Sequence, residues 1–184
     1  MSKLLTHSLV VLLVSCLQIC VVNAAVFIKI DGIEGESKDT NHQGEIDVLS
    51  WSWGAFRSVE LKSGKGDSPK IGKTIGSMEL SLTKFVDSST TSLFAACANG
   101  THIKEATLTV RRAGEDPLEY YIITMKRIMV TSVSTNGSGG EDQLTENVTL
   151  NFRDFSVQYL PQKQNGSVGE PIEYQWNIKG KKKG

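Results

Sequence analysis

Ser77-Met78-Glu79-Leu80-Ser81-Leu82-Thr83 is the stretch of sequence that decides the class of fold. Its apolar side chains alternate with polar ones, and a period of two residues indicates a β-strand with one buried and one exposed face. The same alternation returns in residues 147–152, 155–159 and 174–178. The chain is therefore predicted to be built mainly from half-buried strands.

Two further β-rich segments, 107–112 and 120–125, flank Ala113-Gly114-Glu115-Asp116-Pro117. Turn-forming residues between two such segments predict a hairpin. Runs of β-forming residues at 26–30 and 46–53 predict two more strands. About seven or eight strands with turns between them favour an all-β fold, either a barrel or a two-sheet sandwich.

One short helix is predicted after the first alternating strand. Asp87-Ser88-Ser89 offers side chains that can cap a helix N-terminus, and Gly100 can end the helix. We expect a helix of about eight to ten residues between these limits. Its Leu93-Phe94 pair is expected to plug the open end of a sheet.

The segment Gly54–Gly76 is predicted to be a long loop. It contains many glycines and lysines and few apolar residues. A loop longer than about 15 residues is unusual in a compact domain and is often a binding element. This segment is therefore the first candidate for a contact with a partner.

The N-terminus has the layout of a secretory signal peptide over residues 1–24, with a basic start, an apolar stretch and a Val-x-Ala end. Two alternatives stay open: an uncleaved membrane anchor, and a lipoprotein leader acylated at Cys16. We expect the folded domain to span residues 25–168. Residues 169–184 would form a C-terminal extension with a basic tail.

Composition argues against several classes of function. The formal net charge is +0, so no overall field attracts nucleic acid. No phosphate-binding loop occurs, and the histidines and cysteines lack metal-ligand spacing. Without the leader, Cys97 is the single cysteine, which suits packing beside small residues better than catalysis. We predict no enzyme activity, no cofactor and no small-molecule substrate.

Two weaker patterns leave alternatives open. The carboxylate-rich segment 31–47 could be a Ca²⁺ loop, but it lacks the EF-hand spacing, so a solvated loop is favoured. Trp51 and Trp53 share one face of a predicted strand and could form a sugar-binding platform. Burial of both rings in the core or in an interface is the favoured interpretation.

Several segments, taken in order, resemble the Hcp family of the bacterial type VI secretion system. They are 27–37, 44–54, 80–87, 106–108 and 146–152. The resemblance implies a two-sheet β-barrel with a short helix, assembled as a six-membered ring. It also implies stacked rings that form a tube, with a spike protein, a contractile sheath and effector cargo as partners, and no catalytic centre.

By the same resemblance, Gly54–Gly76 matches the family's extended loop, which reaches across to neighbouring subunits or rings. We expect three apolar side chains of this segment to anchor the contact and four further residues to complete it. The apolar residues are Phe56, Val59 and Leu61, and the others are Lys62, Lys65, Lys70 and Ile71.

The leader is a departure from the family, because typical members have none and build their tube in the cytoplasm. We expect a secreted protein that could pass through the periplasm. Three functions stay open: a subunit of the secretion tube, a Sec-exported relative repurposed as an extracellular or envelope binding module, and an envelope enzyme or carbohydrate-binding domain.

Overall fold

The chain forms eleven strands and one helix within the residues that the computed structural model describes. These are residues 24–54, 57–60, 70–75, 78–114, 117–140, 142–164 and 166–177. The strands are β1 (Ala25–Ile30), β2 (Ile46–Asp47), β3 (Ser50–Trp53), β4 (Arg57–Glu60), β5 (Lys70–Ile75), β6 (Glu79–Phe85), β7 (His102–Arg111), β8 (Glu119–Asn136), β9 (Thr145–Asn151), β10 (Asp154–Tyr159) and β11 (Ile172–Asn177), and the helix is α1 (Ser89–Asn99). The prediction of an all-β fold with one short helix is confirmed.

The main sheet follows the antiparallel order β2-β1-β7-β8-β9-β6-β3, and β10 and β11 branch from β8. Its end strands, β2 and β3, are consecutive in the chain. Val48 N–H donates to the Val26 carbonyl (2.9 Å), and Leu49 N–H donates to the Thr83 carbonyl (2.8 Å). One segment therefore pairs first with β1 and then with β6, and it links the two halves of the sheet.

β8 takes part in both halves. Residues 121–126 pair with β10, and residues 129–136 pair with β9. The partner changes at Arg127, whose φ of 56° is the one positive value outside glycine in the described residues. Its Nε and Nη2 each donate to Asp154 at 2.6 Å. The first sheet is thus β11-β10-β8-β7-β1-β2, and the second is β8-β9-β6-β3.

The core lies between these two sheets. Leu80, Leu82, Val148 and Leu150, which were predicted to be buried, are at most 3% exposed. Burying one such side chain stabilises the fold by roughly 1.5–3 kcal/mol relative to its exposure. In β6 and β9 the two-residue period of the sequence therefore determines which face of the strand turns inward. The prediction is wrong for the later alternating runs at Tyr159 and Tyr174, which are 39% and 49% exposed because β10 and β11 lie at the edge of the sheet.

Helix α1 covers the core where β6 ends, and its extent is one residue longer than the upper predicted limit. Leu93 and Ala96 are buried, but Phe94 is 43% exposed. The predicted Leu93-Phe94 plug is wrong for Phe94, because neighbouring residues of a helix point in different directions. Gly100 ends the helix with φ 63°. No helix in the described ranges is long and apolar enough to cross a membrane.

The prediction of a loop over Gly54–Gly76 is wrong in part. β4 and β5 form a separate two-stranded antiparallel sheet in which Val59 pairs with Ile71 and Glu60 pairs with Lys70. Because the segment is rich in glycine and lysine, its sequence did not indicate the two short strands that pair with each other. The predicted leader, apart from Ala24, and the basic tail lie outside the described residues, while Ile172–Asn177 in the predicted extension forms β11.

Candidate functional site

The middle of the outward side of the second sheet consists of hydroxyl and amide side chains. The strand register places eight of them in two rows of four across β3, β6, β9 and β8. The first row is Ser50, Thr83, Asn147 and Ser134, and the second row is Ser52, Ser81, Thr149 and Ser132. We call these eight residues the hydroxyl face. None of them carries a charge, and none is apolar.

The alternation of each strand creates the hydroxyl face. Ser81 and Thr83 flank the buried Leu82, so both must point outward from β6. Asn147 and Thr149 flank the buried Val148 in the same way. Thr83 Oγ1 donates to Asn147 Oδ1 at 2.8 Å. Ser81 Oγ and Thr149 Oγ1 share a hydrogen bond of 3.4 Å. The rows are thus cross-linked between β6 and β9.

Such a surface has a defined chemistry. Hydroxyl groups both donate and accept hydrogen bonds, so water hydrates the face without any charge. A passing protein finds no apolar patch to bury and no charge to pair with. Beyond the rows, β6 carries the exposed Glu79 at its start and the exposed Phe85 at its end. The face suits transient contact better than tight binding.

The inner side of the same strands holds a buried ion pair. Lys84 and Glu146 are both 0% exposed and lie opposite each other on β6 and β9. Lys84 Nζ donates to Glu146 Oε1 at 2.6 Å and to Asp87 Oδ1 at 2.8 Å. Asp87 Oδ1 also accepts from the Ser89 backbone N–H at 2.9 Å. The ion pair therefore fixes the start of α1 against the second sheet.

Over β1 and β7, the outward side of the first sheet is covered by the chain itself. The ring of His42 stacks on Phe27 with the centroids 4.1 Å apart. His42 Nδ1 lies 2.9 Å from Glu45 Oε2, and Arg111 Nη2 lies 2.6 Å from Asp39 Oδ2. The hydrogen bond from Arg111 is the largest cause that holds the pKa of Asp39 below its ordinary value. Residues 39–42 thus form a charged cover over β1 and β7.

Trp51 and Trp53 point to the same side of β3, as predicted, and both are partly buried against the core. The ring centroids of Trp53 and Phe155 lie 5.3 Å apart, and Trp53 Nε1–H donates to Tyr121 Oη at 3.2 Å. Trp51 stacks with Tyr121 at 5.9 Å. The two rings belong to an aromatic cluster between the sheets and do not form an exposed platform.

The predicted interface residues lie in and beside the small β4–β5 sheet. Phe56, Leu61, Lys62 and Lys65 are outside the described residues. Val59 belongs to β4, and Lys70 and Ile71 belong to β5. The backbone pairing of β4 with β5 brings Val59, Lys70 and Ile71 together. A role of all seven residues in a subunit contact stays a prediction.

The described ranges hold no group of three or more His, Cys, Asp or Glu residues that could bind a metal ion. Cys97 is a free thiol in α1 and packs against the core, which agrees with its predicted packing role. The acidic segment 31–47 forms the loop between β1 and β2 and includes β2 itself.

The hydroxyl face was missed by reasoning from the sequence. Asn147 and Thr149, like Ser81 and Thr83, were considered there only as the polar positions of alternating strands. A signal was present, since the polar positions of three alternating strands are almost all Ser, Thr or Asn. The sequence does not say that these strands are neighbours, however, and neighbourhood is what turns separate hydroxyls into a surface.

Comparisons with known proteins agree on one family. The family model described as "Type VI secretion system effector, Hcp" matches residues 27–159. Protein hcp1 of Pseudomonas aeruginosa is 52% identical over 156 residues, which cover 84% of this chain and 94% of that protein. The match thus extends over most of both chains.

Solved structures show the same fold. The crystal structure of Hcp1 from Salmonella typhimurium matches with a TM-score of 0.69 and 32% identity, and covers 88% of this chain and 99% of that one. A structure described as a type six secretion system protein matches with a TM-score of 0.75 and 26% identity over the same shares of the two chains.

Proposed function

The chain belongs to the Hcp family of type VI secretion system proteins, a family of secreted structural tube proteins rather than enzymes, and we propose that it forms the secretion tube. In this proposal six copies close into a ring, rings stack into a tube, and effector proteins travel in the lumen. The spike protein and the contractile sheath would be its further partners.

The hydroxyl face is the observation that carries the proposal. A tube must conduct different proteins without retaining them. A wall of charged side chains would hold cargo of the opposite charge, and an apolar wall would hold any partly unfolded segment. Two rows of uncharged hydroxyl and amide groups avoid both outcomes. We therefore assign the hydroxyl face to the lumen side of the ring.

Ring closure needs two different complementary surfaces on each subunit. β11 can form part of one of these surfaces, because β10 is the single described strand with which it pairs. Ile172 is 64% exposed and Tyr174 is 49% exposed on this strand. An unpaired strand edge with exposed apolar side chains is a surface that another chain can cover. The predicted contact residues of Gly54–Gly76 are candidates for a second surface.

Cysteine labelling tests the lumen assignment. In a Cys97→Ala background, Ser81→Cys is expected to react with a small maleimide in free subunits and in assembled tubes. A bulky polymer-linked maleimide is expected to label Ser81→Cys only in free subunits. Lys163→Cys, at an exposed site outside the hydroxyl face, is the control and should react with both reagents throughout. Equal reaction of Ser81→Cys with the bulky reagent in tubes would contradict the assignment.

Assembly itself is tested on the mature chain, residues 25–184, by native mass spectrometry and electron microscopy. Six-membered rings are expected. A protein that stays monomeric at high concentration would contradict the tube function.

The leader motivates a second candidate function. Residues 1–24 would send the chain through the general export pathway. An exported copy would then be absent from the cytoplasm, where the family builds its tube. The alternative is an extracellular or envelope binding module with the same fold. N-terminal sequencing of the protein from the growth medium separates the two. A start at Ala25 in a strain without the contractile apparatus supports the module, and an intact Met1 with sheath-dependent release supports the tube.

A further inference from the structure

His42 is a buried histidine whose two ring nitrogens each face a carboxylate. The residue is 5% exposed. Its Nδ1 lies 2.9 Å from Glu45 Oε2, and its Nε2 lies 3.3 Å from Glu119 Oε1. Glu45 belongs to the same loop as His42, whereas Glu119 is the first residue of β8. The ring therefore bridges the cover to a strand of the first sheet.

The surrounding contacts hold the ring in this position. The ring stacks on Phe27 with 10° between the two planes. On the backbone, His42 N–H donates to the Asp39 carbonyl at 3.3 Å, and Glu45 N–H donates to the His42 carbonyl at 3.1 Å. The ring thus meets both carboxylates at once, and it cannot swing into solvent without losing the stack on Phe27.

The contacts of the two nitrogens differ in kind. The contact between Nδ1 and Glu45 is a hydrogen bond. Nε2 is buried without an aligned hydrogen bond to any described residue, so its contact with Glu119 is one of charge. A neutral imidazole has a single N–H, and its other nitrogen carries a lone pair. Whichever nitrogen holds the proton, the neutral ring turns a lone pair toward a carboxylate.

The charges around the ring are mostly negative. They come from its own loop and from β2, β7 and β8, and they are Asp39, Glu45, Asp47, Arg111 and Glu119. Asp47 is exposed and lies opposite Phe27 on β2. Arg111 Nη2 is already bound to Asp39 Oδ2 at 2.6 Å. A proton on His42 is therefore what provides Glu119 with a cation.

We propose that His42 is a pH-operated latch that ties the cover to the start of β8. In the protonated ring both nitrogens carry a hydrogen, so the ring attracts both carboxylates. Loss of the proton replaces one attraction with a repulsion between lone pairs, and the cover then opens more often. The latch is closed at lower pH and loosens as the pH rises. It acts within each subunit and does not depend on the tube function.

Histidines and carboxyl groups ordinarily titrate in separate pH ranges. Carboxyl groups release their protons near pH 4, and histidine changes its charge between about pH 5 and pH 8. The hydrogen bond from Arg111 holds the pKa of Asp39 below its ordinary value, so the ion pair at the edge of the cover stays charged in the histidine range. A pH effect on the cover in that range would therefore report the charge of His42.

Hydrogen–deuterium exchange followed by mass spectrometry tests the latch in peptides that contain residues 39–45 and 119–123. Exchange is compared at about pH 5.5 and about pH 8.5, corrected for the intrinsic pH dependence of exchange, at a concentration that gives the same assembly state by native mass spectrometry. We expect the corrected rates to be about tenfold higher at the upper pH, because a lost hydrogen bond to a charged group shifts a local opening equilibrium by about that factor.

Three substitutions decide whether His42 causes this step. His42→Gln keeps a polar side chain that does not titrate, and it should abolish the step. Glu119→Gln removes the charge that faces Nε2 and should reduce the step to about threefold or less. His102→Gln changes an exposed histidine of β7 and should leave the full step.

Three results would overturn the proposal. They are a missing step in the unchanged protein, a step that survives in His42→Gln, and a full step in Glu119→Gln. Nitrogen-15 NMR gives an independent test, since both ring nitrogens of His42 should carry a proton at about pH 5.5. A neutral ring at that pH would also overturn the latch.

Discussion

The two sheets of this protein have opposite kinds of outer surface. On the first sheet, Phe27 and Arg111 lie beneath residues 39–42, and ion pairs fasten this cover. On the second sheet, the hydroxyl face is bare and uncharged. On the inner side the charge lies in the second sheet instead, because this sheet buries the Lys84–Glu146 ion pair.

The difference shows where this fold can place charge. The charges of the Asp39–Arg111 and Lys84–Glu146 pairs lie where another part of the same chain satisfies them, at the cover of the first sheet and inside the second sheet. The surface left without charge is the one that we assign to the lumen. A covered face contributes to stability, and a bare face is free to serve function. Variants that separate stability from function can test this comparison.

The largest effect on stability is expected inside the second sheet. Glu146→Ala would leave the Lys84 ammonium buried without its main partner. Breaking a buried pair from one side typically costs about 3–5 kcal/mol in the free energy of unfolding. The measurement is urea unfolding followed by fluorescence. Lys84→Met with Glu146→Leu should recover most of the loss, because neither member of the buried pair then carries a charge, and Asp87 keeps its hydrogen bond from the Ser89 backbone N–H.

A loss below about 1 kcal/mol in Glu146→Ala would contradict this account and would mean that water reaches Lys84. A double variant as unstable as Glu146→Ala would show that the methylene packing of these side chains, rather than their charge, holds α1 in place.

A smaller loss is expected when the cover of the first sheet is opened. His42→Ala removes the ring that stacks on Phe27 and exposes part of that side chain. We expect the free energy of unfolding to fall by about 1–2 kcal/mol, from the lost ring contact and the lost burial. His102→Ala, at an exposed position at the start of β7, is the matched control and should change it little. Equal effects of the two substitutions would mean that residues 39–42 do not act as a cover.

The ion pair at the edge of the cover predicts a pH dependence. Because the pKa of Asp39 is lowered in the folded state, its contribution to stability is present above the unfolded pKa and is lost as the pH falls through the folded value. Asp39→Asn should therefore lower the free energy of unfolding near neutral pH, by up to about 1 kcal/mol. The difference from the unchanged protein should shrink below about pH 4. Urea unfolding across pH, with Asp142→Asn as the control, measures this.

The sequence predicted the inner sides of the sheets well and the outer sides poorly. Alternation identifies Leu80 or Val148 as buried without any knowledge of the neighbouring strands, since burial depends on the period alone. Predicting the cover on Phe27 would require knowing that a residue of the following loop contacts β1. The hydroxyl face required the register of four strands. Both depend on which segments become neighbours, and the local pattern of a single sequence does not show which segments do so.

The same limit explains the helix and the Gly54–Gly76 segment. The caps of α1 are local, so its position was predicted nearly correctly, but the direction of Phe94 depends on where the core lies. β4 and β5 are stabilised by pairing with each other, and the many glycines of the Gly54–Gly76 segment are not a local pattern that predicts strands. The family resemblance was confirmed, because it rests on segments that are matched in order along the chain.

Substitutions in the hydroxyl face should have the smallest effect on stability, and they give the sharpest test of function. Ser81→Val with Thr149→Val removes both partners of one hydrogen bond, and replacing both leaves no unsatisfied group. Valine also suits a strand, so the free energy of unfolding should change by no more than about 0.5 kcal/mol. The two methyl-rich side chains would nevertheless place an apolar patch in the proposed lumen. Assembled tubes of this variant should retain a partly unfolded test protein that tubes of the unchanged chain release.

The matched control has the same kind of change on the outward side of the first sheet, where Thr107 on β7 pairs with Thr124 on β8. Thr107→Val with Thr124→Val adds a similar apolar area outside the hydroxyl face. If both variants retain the test protein equally, retention depends on surface hydrophobicity anywhere on the subunit, and the assignment of the hydroxyl face to the lumen fails. If retention follows the Ser81 and Thr149 changes alone, the bare face is the one that cargo meets, because stability is matched and only the location of the patch differs.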